Sequence, residues 1–105
     1  MTETHGPDGR TAARWTFLTN HAHVLLCIAA DREIRVRRLA ERIGITERAV
    51  QRILGDLEAA GFVARERIGR TTRYAVRLDL PMRHPVEASR HVRVLVDALE
   101  PDAGG

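Results

Sequence analysis

The chain has 105 residues, 44% hydrophobic and 30% charged, with 17 basic and 14 acidic residues and a formal net charge of +3. This composition is typical of one soluble globular domain and not of a chain that is disordered throughout. The longest apolar run, residues 24–30, is too short to cross a bilayer, and the single cysteine, Cys27, excludes an intrachain disulfide. No secretory signal pattern opens the sequence, so we expect a cytoplasmic protein.

The N-terminal third predicts an arm, an aromatic segment and a helix. The first thirteen residues are polar and contain Gly-Pro and Asp-Gly turn signals, so we expect a flexible arm. Trp15 and Phe17 follow, and because large apolar groups are rarely left in water we expect them to pack on the core or on a partner chain. Thr19 or Asn20 can cap a helix over residues 21–30.

The middle of the chain predicts a helix-turn-helix. We expect a short strand over residues 33–35 and then a helix over 36–43 that ends at Gly44. Thr46 is a good N-cap for a second helix, which ends near Gly61. Its apolar residues recur at i, i+3, i+4 and i+7 and form a stripe: Val50, Ile53, Leu54 and Leu57. Two helices separated by three residues form a tight helix-turn-helix.

After Gly61 the hydrophobic period changes from the helical 3.6 to about 2, which predicts a β-hairpin. The strands are expected over residues 62–68 and 73–78, with Gly69 in the connection free to adopt a positive φ. Arginines lie on both strands and at the tip.

Prolines at positions 81 and 85 then interrupt the chain, and residues 86–99 predict a last helix, followed by a frayed tail over 101–105. This helix carries an apolar stripe that could complete the domain's own core or pair with a second copy. We favour a homodimer interface formed by the stripe and the aromatic segment. The residues concerned are Trp15, Phe17, Val92, Leu95, Val96 and Leu99.

Arginine accounts for all 17 basic residues, since the sequence contains no lysine. We attribute this to a GC-rich coding bias, because the absence of lysine extends over the whole chain.

The charge is not distributed evenly along the chain. Residues 35–77 contain eleven arginines and five acidic residues, a net +6, whereas the remainder is net −3. A basic stretch in a nearly neutral chain is typical of a polyanion-binding protein, although a solvated charged face is an alternative.

The order helix, strand, helix, helix, hairpin, carried by the stretch VRRLAERIGITERAVQRILGDLEAAGFVARERIGRTTRYAV, resembles the winged helix-turn-helix of bacterial transcriptional regulators of the MarR and ArsR kind. The resemblance covers about residues 15–78. It implies a mainly α fold with a small β-hairpin, in the order α-β-α-α-β-β, plus a C-terminal helix. In this pattern Ala40 allows a close helix crossing and Ile45 fills the corner between the helices.

The resemblance places the second helix of the helix-turn-helix in the major groove of DNA. The residues expected to face base edges are Thr46, Glu47, Arg48, Gln51 and Arg52. Arg48 and Arg52 could donate to guanine and Gln51 could bind adenine. Alternatively, the two arginines contact phosphates alone or pair with Glu47 and Glu41. We expect Glu47 to interact with the positive N-terminus of the helix rather than to accept a hydrogen bond from a cytosine.

Further arginines are expected to contact the DNA backbone. On the preceding helix these are Arg37, Arg38 and Arg42, joined by Thr46 at the turn. On the hairpin, the wing residues are Arg65, Arg67, Arg70, Thr71, Thr72 and Arg73. Arg70 at the tip could enter the adjacent minor groove, and the threonines could bind phosphate. A solvated hairpin without a DNA contact is the alternative.

No catalytic motif and no cofactor-binding motif is present, so we expect neither enzymatic activity nor a cofactor. His23 and Cys27 are four residues apart and could share a metal, but Cys27 lies among apolar residues and a buried thiol is the preferred interpretation. We therefore expect no metal site.

We predict a sequence-specific regulator that binds double-stranded DNA as a homodimer. The alternatives are a winged-helix module that binds another protein and a repressor that responds to a metal or small molecule. The expected divisions are a flexible arm (1–13), a DNA-binding domain (14–80), a linker with a C-terminal helix (81–100) and a disordered tail (101–105).

Overall fold

The computed structural model describes residues 15–99, so the predicted arm and tail lie outside the described residues. The described residues form four helices and one antiparallel hairpin, which confirms the predicted fold class. The elements in chain order are α1 (Asn20–Ala30), α2 (Val36–Ile43), α3 (Glu47–Ala59), β1 (Val63–Ile68), β2 (Thr71–Val76) and α4 (Val92–Leu99).

The helix-turn-helix is built from local signals. Gly44 ends α2 with a φ of 85°, and its N–H donates to the Ala40 carbonyl over 2.8 Å. The Thr46 hydroxyl caps α3 by accepting a hydrogen bond from the Ala49 N–H at 3.0 Å. Both ends of the turn therefore lie where the sequence predicts them, because each is fixed by a residue suited to that backbone conformation.

Helix α1 is the centre of the core. Five consecutive residues, Val24–Ile28, are buried because α1 packs against α2, α3, β2 and α4. An amphipathic helix buries one face, but contacts on several sides of α1 bury Leu26 and Cys27 in addition to Val24, Leu25 and Ile28. The predicted buried thiol at Cys27 is thus confirmed.

The strand predicted over residues 33–35 is wrong: these residues are not part of a strand. The Asp31 carboxylate accepts a hydrogen bond from the Glu33 N–H at 3.0 Å and holds a turn there. Ile34 is buried, and one backbone bond, from the Tyr74 N–H to the Arg32 carbonyl at 2.8 Å, links the segment to β2. The turn prevents the segment from forming a strand ladder.

The hairpin is tighter than predicted. The second strand begins at Thr71 rather than at residue 73, since Thr71 pairs with Ile68 and Thr72 with Arg67. The connection is reduced to Gly69 and Arg70, and Gly69 has a φ of 61°. A two-residue connection of this kind requires a residue that tolerates positive φ, which glycine does.

The last helix is shorter than predicted and begins at Val92 rather than residue 86. The Met82 N–H donates to the Arg90 carbonyl and the Val92 N–H to the Leu80 carbonyl, both over 2.9 Å. This antiparallel pairing folds residues 83–90 into a closed loop and withdraws them from the helix. Helix α4 then packs on α1.

Candidate nucleic-acid interface

The apolar stripe of α3 faces inward and leaves one polar face in solvent. Val50, Ile53, Leu54 and Leu57 are at most 7% exposed, whereas all five residues predicted to face bases are exposed. These residues are Thr46, Glu47, Arg48, Gln51 and Arg52. Gly55 is exposed on the same helix, one turn after Gln51.

Arg48 and Arg52 lie one turn apart on this face, and neither has a hydrogen-bond or ion-pair partner within residues 15–99. The alternative in which they pair with Glu47 and Glu41 is therefore not what the structure shows. Two exposed, unpaired guanidinium groups on one helix face can donate to phosphates or to the acceptors of a guanine.

Gln51 and Arg65 do have intramolecular partners. The Arg65 guanidinium reaches from β1 across to α3, where Nε and Nη2 donate to the two carboxylate oxygens of Glu58 over 3.0 and 2.6 Å. Its Nη1 donates to Gln51 Oε1 over 3.1 Å. We refer to Arg65, Glu58 and Gln51 as the Arg65 cluster.

The hydrogen bonds from Arg65 lower the pKa of Glu58, and those to Glu58 raise the pKa of Arg65. Both shifts show that the contact favours the charged forms of the two side chains. Glu58 is not among the site residues that the sequence predicts. Its spacing of seven from Gln51, two helical turns, is the signal that places both on one side of α3.

The hairpin register divides the wing arginines between two faces. Arg65 pairs with Tyr74 and Arg67 with Thr72, so the side chains of these four residues lie on one face of the hairpin. Tyr74 is the buried residue of this face among the four. Arg73 pairs with Glu66 on the opposite face. The wing is therefore not a single arginine stripe, and its two faces meet at the exposed tip.

At the tip, Arg70 and Thr71 are exposed and Thr72 is half-buried. Arg67 bends back toward the turn, where its Nε donates to the Gly69 carbonyl over 3.2 Å. This contact leaves the two Nη groups of Arg67 available to an outside partner. The two-residue turn and the residues beside it thus carry guanidinium donors from Arg67 and Arg70 and hydroxyl donors from Thr71 and Thr72.

The arginines of α2 differ in their surroundings. Arg37 and Arg38 lie 3.7 and 3.8 Å from the carboxylate of Glu41, and Arg37 is the more exposed, with 82% of its side chain in solvent. Arg42 is half-buried, and its buried Nη1 has no hydrogen-bond partner within the described chain. Of the three arginines predicted to bind backbone phosphates, Arg42 is the least accessible.

The histidines of α1 are engaged with neighbouring side chains. His21 Nε2 lies 2.8 Å from Asp56 Oδ2, and His23 Nδ1 lies 3.0 Å from Asn20 Oδ1. Burial lowers the pKa of His23 and raises the pKa of the Cys27 thiol. Within residues 15–99, no group of three or more histidine, cysteine, aspartate or glutamate side chains could hold a metal ion.

A second surface is apolar. Trp15 and Phe17 are 70% and 91% exposed and contact each other edge to face, with ring centroids 5.0 Å apart. Phe17 also borders a groove of about 370 Å³, whose lining includes Leu25, Leu57 and Leu95. We call the aromatic pair, this groove and the exposed Leu99 the apolar surface.

The structure corrects the role of two residues predicted to lie in a dimer interface. Val92 and Val96 are 8% and 5% exposed and belong to the chain's own core, since they face α1. Leu95 is half-buried and Leu99 is exposed. The apolar stripe of α4 therefore divides into a core half and an outward half.

Residues 16–73 match the model of the MarR family, and this match covers more than half of the chain. The winged helix-turn-helix described above is the fold of that family. The chain therefore belongs to the MarR family of transcriptional regulators, and the resemblance predicted from the sequence is confirmed.

The chain is also similar to curated proteins of mycobacteria. It is 37% identical over 54 residues to an uncharacterised protein of Mycobacterium bovis and to uncharacterised proteins from two strains of Mycobacterium tuberculosis. The match covers 51% of this chain and 32% of each relative, so the chain spans about a third of their length. No solved structure gives a significant match. Within residues 15–99 no helix is long and apolar enough to span a membrane.

Proposed function

We propose that the protein binds double-stranded DNA in a sequence-specific manner and regulates transcription as a homodimer in the cytoplasm of a bacterium. The observation that carries this proposal is the exposed face of α3, where Arg48 and Arg52 have no partner within the described residues. Inserted into the major groove, α3 would bring these guanidinium groups to base edges. Each good bidentate pair discriminates between bases by about 1–3 kcal/mol.

The hairpin would lie along the flanking DNA. We assign Arg67, Arg70, Thr71, Thr72 and Arg73 to the phosphates or the adjacent minor groove, and we leave out Arg65, because its donors bind Glu58 and Gln51.

Helix α2 and the turn would contribute further backbone contacts. Arg37 and Arg38 share one weakly held carboxylate, Glu41, and could exchange it for a phosphate. Thr46 and Glu47 serve primarily the N-terminus of α3, where the hydroxyl is already engaged in capping.

Two copies would associate through the apolar surface. Trp15, Phe17, Leu95 and Leu99 remain as the proposed interface, since Val92 and Val96 are used in the core. In a two-fold dimer the α3 helices contact half-sites about one DNA turn apart, roughly 34 Å.

A protein-binding role for the α3 face is less well supported. Interfaces between proteins depend on aromatic and apolar anchors. Within residues 36–76, one large apolar side chain is strongly exposed, that of Ile68, at 52%. The other strongly exposed large apolar side chains among the described residues lie outside this range: Trp15, Phe17, Val86, Val94 and Leu99. The distribution favours DNA for the helix-turn-helix and a protein partner for the apolar surface.

The test is recovery of bound fragments from sheared genomic DNA, followed by mobility-shift titrations of the recovered site and a random duplex at several salt concentrations. A specific regulator binds the recovered site at least about 1000-fold more tightly than random DNA. Equal binding of both duplexes at moderate salt would instead indicate an architectural protein, and the proposal would fail.

A further inference from the structure

The Arg65 cluster joins the hairpin to α3 at a residue predicted to face a base. Three donors of one guanidinium are used: two on the Glu58 carboxylate, at 3.0 and 2.6 Å, and one on Gln51 Oε1, at 3.1 Å. The side chains of Arg65 and Glu58 are 35% and 31% exposed, so the pair is partly shielded from solvent. A bidentate pair of this kind fixes the plane and direction of the guanidinium.

The orientation of the Gln51 amide follows from the chemistry of its neighbour. An arginine side chain carries donors and no acceptor, so the Gln51 atom that faces Nη1 is the carbonyl oxygen and not the nitrogen. The amide oxygen is thereby held toward the hairpin. Its NH₂ group, with two N–H donors, lies on the opposite side of the amide from the atom that Arg65 binds and makes no hydrogen bond within residues 15–99.

This orientation bears on which base Gln51 can bind. A bidentate contact to adenine needs the amide oxygen to accept from N6 while the nitrogen donates to N7. Guanine instead presents two acceptors, N7 and O6, in the major groove. Because Arg65 turns the oxygen toward the hairpin, Gln51 presents its NH₂ donors on the other side of the amide and is suited to the acceptor edge of guanine rather than to adenine.

We propose that Arg65 is a specificity-determining residue, which holds the Gln51 amide as a hydrogen-bond donor and so directs Gln51 to guanine. The inference rests on the proposed function, since it requires α3 to lie in the major groove. It also assigns Glu58 a role, because the carboxylate neutralises Arg65 and fixes its position.

The test compares base preferences rather than overall affinity. Randomised duplexes are selected with the wild-type protein, with Arg65→Met, and with Arg67→Met as the matched control on the same strand and hairpin face. In the wild type, we expect one position of each half-site to be enriched in guanine. Arg65→Met should admit adenine there, changing the guanine-to-adenine ratio on the order of tenfold, with the other positions unchanged. Arg67→Met should weaken all sequences alike and reduce the salt slope by about 0.9.

The outcomes separate the inference from the proposed function. If Arg65→Met weakens all sequences equally and reduces the salt slope as Arg67→Met does, Arg65 is a phosphate contact and the inference fails while the proposed function stands. The same follows if no position changes its base preference. If the wild type enriches no sequence at all, the proposed function itself fails, and the specificity role fails with it.

A second measurement needs no DNA. The side-chain amide signals of Gln51 in a ¹⁵N-labelled sample should shift in Arg65→Met and in Glu58→Gln and stay in place in Arg67→Met. Unshifted signals in both cluster variants would show that Arg65 does not hold the amide, and would overturn the inference even in a variant that folds normally.

Discussion

The α3 face with its hairpin and the apolar surface differ in what they expose to solvent. The first presents arginines, threonines and a glutamine, and the second presents Trp15, Phe17 and Leu99. A charged surface on which Ile68 is the one strongly exposed large apolar side chain attracts a polyanion through its field and its hydrogen-bond donors. Exposed apolar area, in contrast, is stabilised by another apolar surface. The chain thus carries surfaces suited to two kinds of partner, built on one shared core.

Within the α3 face and hairpin, the arginines themselves differ. Arg48 and Arg52 have no partner in the described chain, while Arg65 makes three side-chain hydrogen bonds. A free guanidinium can form new bonds to DNA without losing old ones, whereas Arg65 would first have to break a bidentate ion pair. The number of arginines in a basic stretch therefore overstates the number available for binding.

The largest expected effect is on DNA affinity. Replacing both Arg48 and Arg52 by alanine should cost about 2–6 kcal/mol of specific binding, since each bidentate base contact contributes about 1–3 kcal/mol. Thermal stability should stay nearly constant, because both side chains are exposed. Mobility-shift titration measures the loss, and Arg90→Ala, an exposed arginine outside the interface, is the control. Equal affinity for the double variant and the control would contradict the assigned role of α3.

The next effect separates the two halves of α4. Val96→Ala should lower the free energy of unfolding by about 2 kcal/mol, because it removes buried methyl groups and leaves a cavity. Leu99→Ala should change monomer stability by less than about 0.5 kcal/mol, since that side chain is 47% exposed, and should weaken self-association instead.

Urea unfolding and sedimentation equilibrium measure these two quantities. The division of α4 into a core half and an outward half would be contradicted if Leu99→Ala unfolded as readily as Val96→Ala. A dimer constant unchanged by Leu99→Ala would remove this residue from the proposed interface.

The parts of the fold that the sequence predicts well are those fixed by neighbouring residues. The turn of the helix-turn-helix needs a residue that accepts a φ of 85° at Gly44 and a side-chain cap at Thr46, and both signals are local. The faces of α3 follow from a period of 3.6 in the same way. The outward positions of that helix could therefore be named from the sequence.

The parts that the sequence misses depend on contacts between distant segments. The start of α4 at Val92 is set by backbone pairing of Met82 with Arg90, which no helical period encodes. The engagement of Gln51 depends on the docking of β1 against α3, which brings Arg65 within 3.1 Å. Helical spacing shows that Gln51 faces outward, but not that a neighbouring strand already binds its oxygen.

A smaller effect concerns the Arg65 cluster and pH. The hydrogen bonds from Arg65 lower the pKa of Glu58 below its usual 4.5 in the folded protein. The resulting stabilisation is fully present above the unfolded pKa and is lost as the pH falls through the lowered folded pKa. Glu58→Gln should therefore destabilise the protein at neutral pH by about 0.5–1 kcal/mol, a range reduced by solvent screening of the partly exposed pair.

Urea unfolding of wild type and variant at neutral and at acidic pH measures the difference, which should shrink as Glu58 of the wild type becomes protonated. Glu41→Gln is the control. The carboxylate of Glu41 lies 3.7 and 3.8 Å from Arg37 and Arg38, so this substitution should change the free energy of unfolding by less. A pH-independent difference would mean that Glu58 acts through packing rather than charge.

An effect on stability of similar size but opposite sign is expected at Gly55, on the exposed face of α3. An added Cβ would meet no atom within 4 Å, and the glycine is not in a positive-φ conformation. Gly55→Ala should therefore stabilise the protein by about 0.5–1 kcal/mol, because alanine loses less backbone entropy in a helix.

The same substitution should affect DNA binding. Gly55 lies one turn beyond Arg52 and Gln51, so α3 in the groove would bring it close to the DNA. The new methyl group should therefore lower the affinity for DNA by several-fold. A more stable variant with undiminished affinity would place the C-terminal half of α3 outside the groove and confine base recognition to its first two turns.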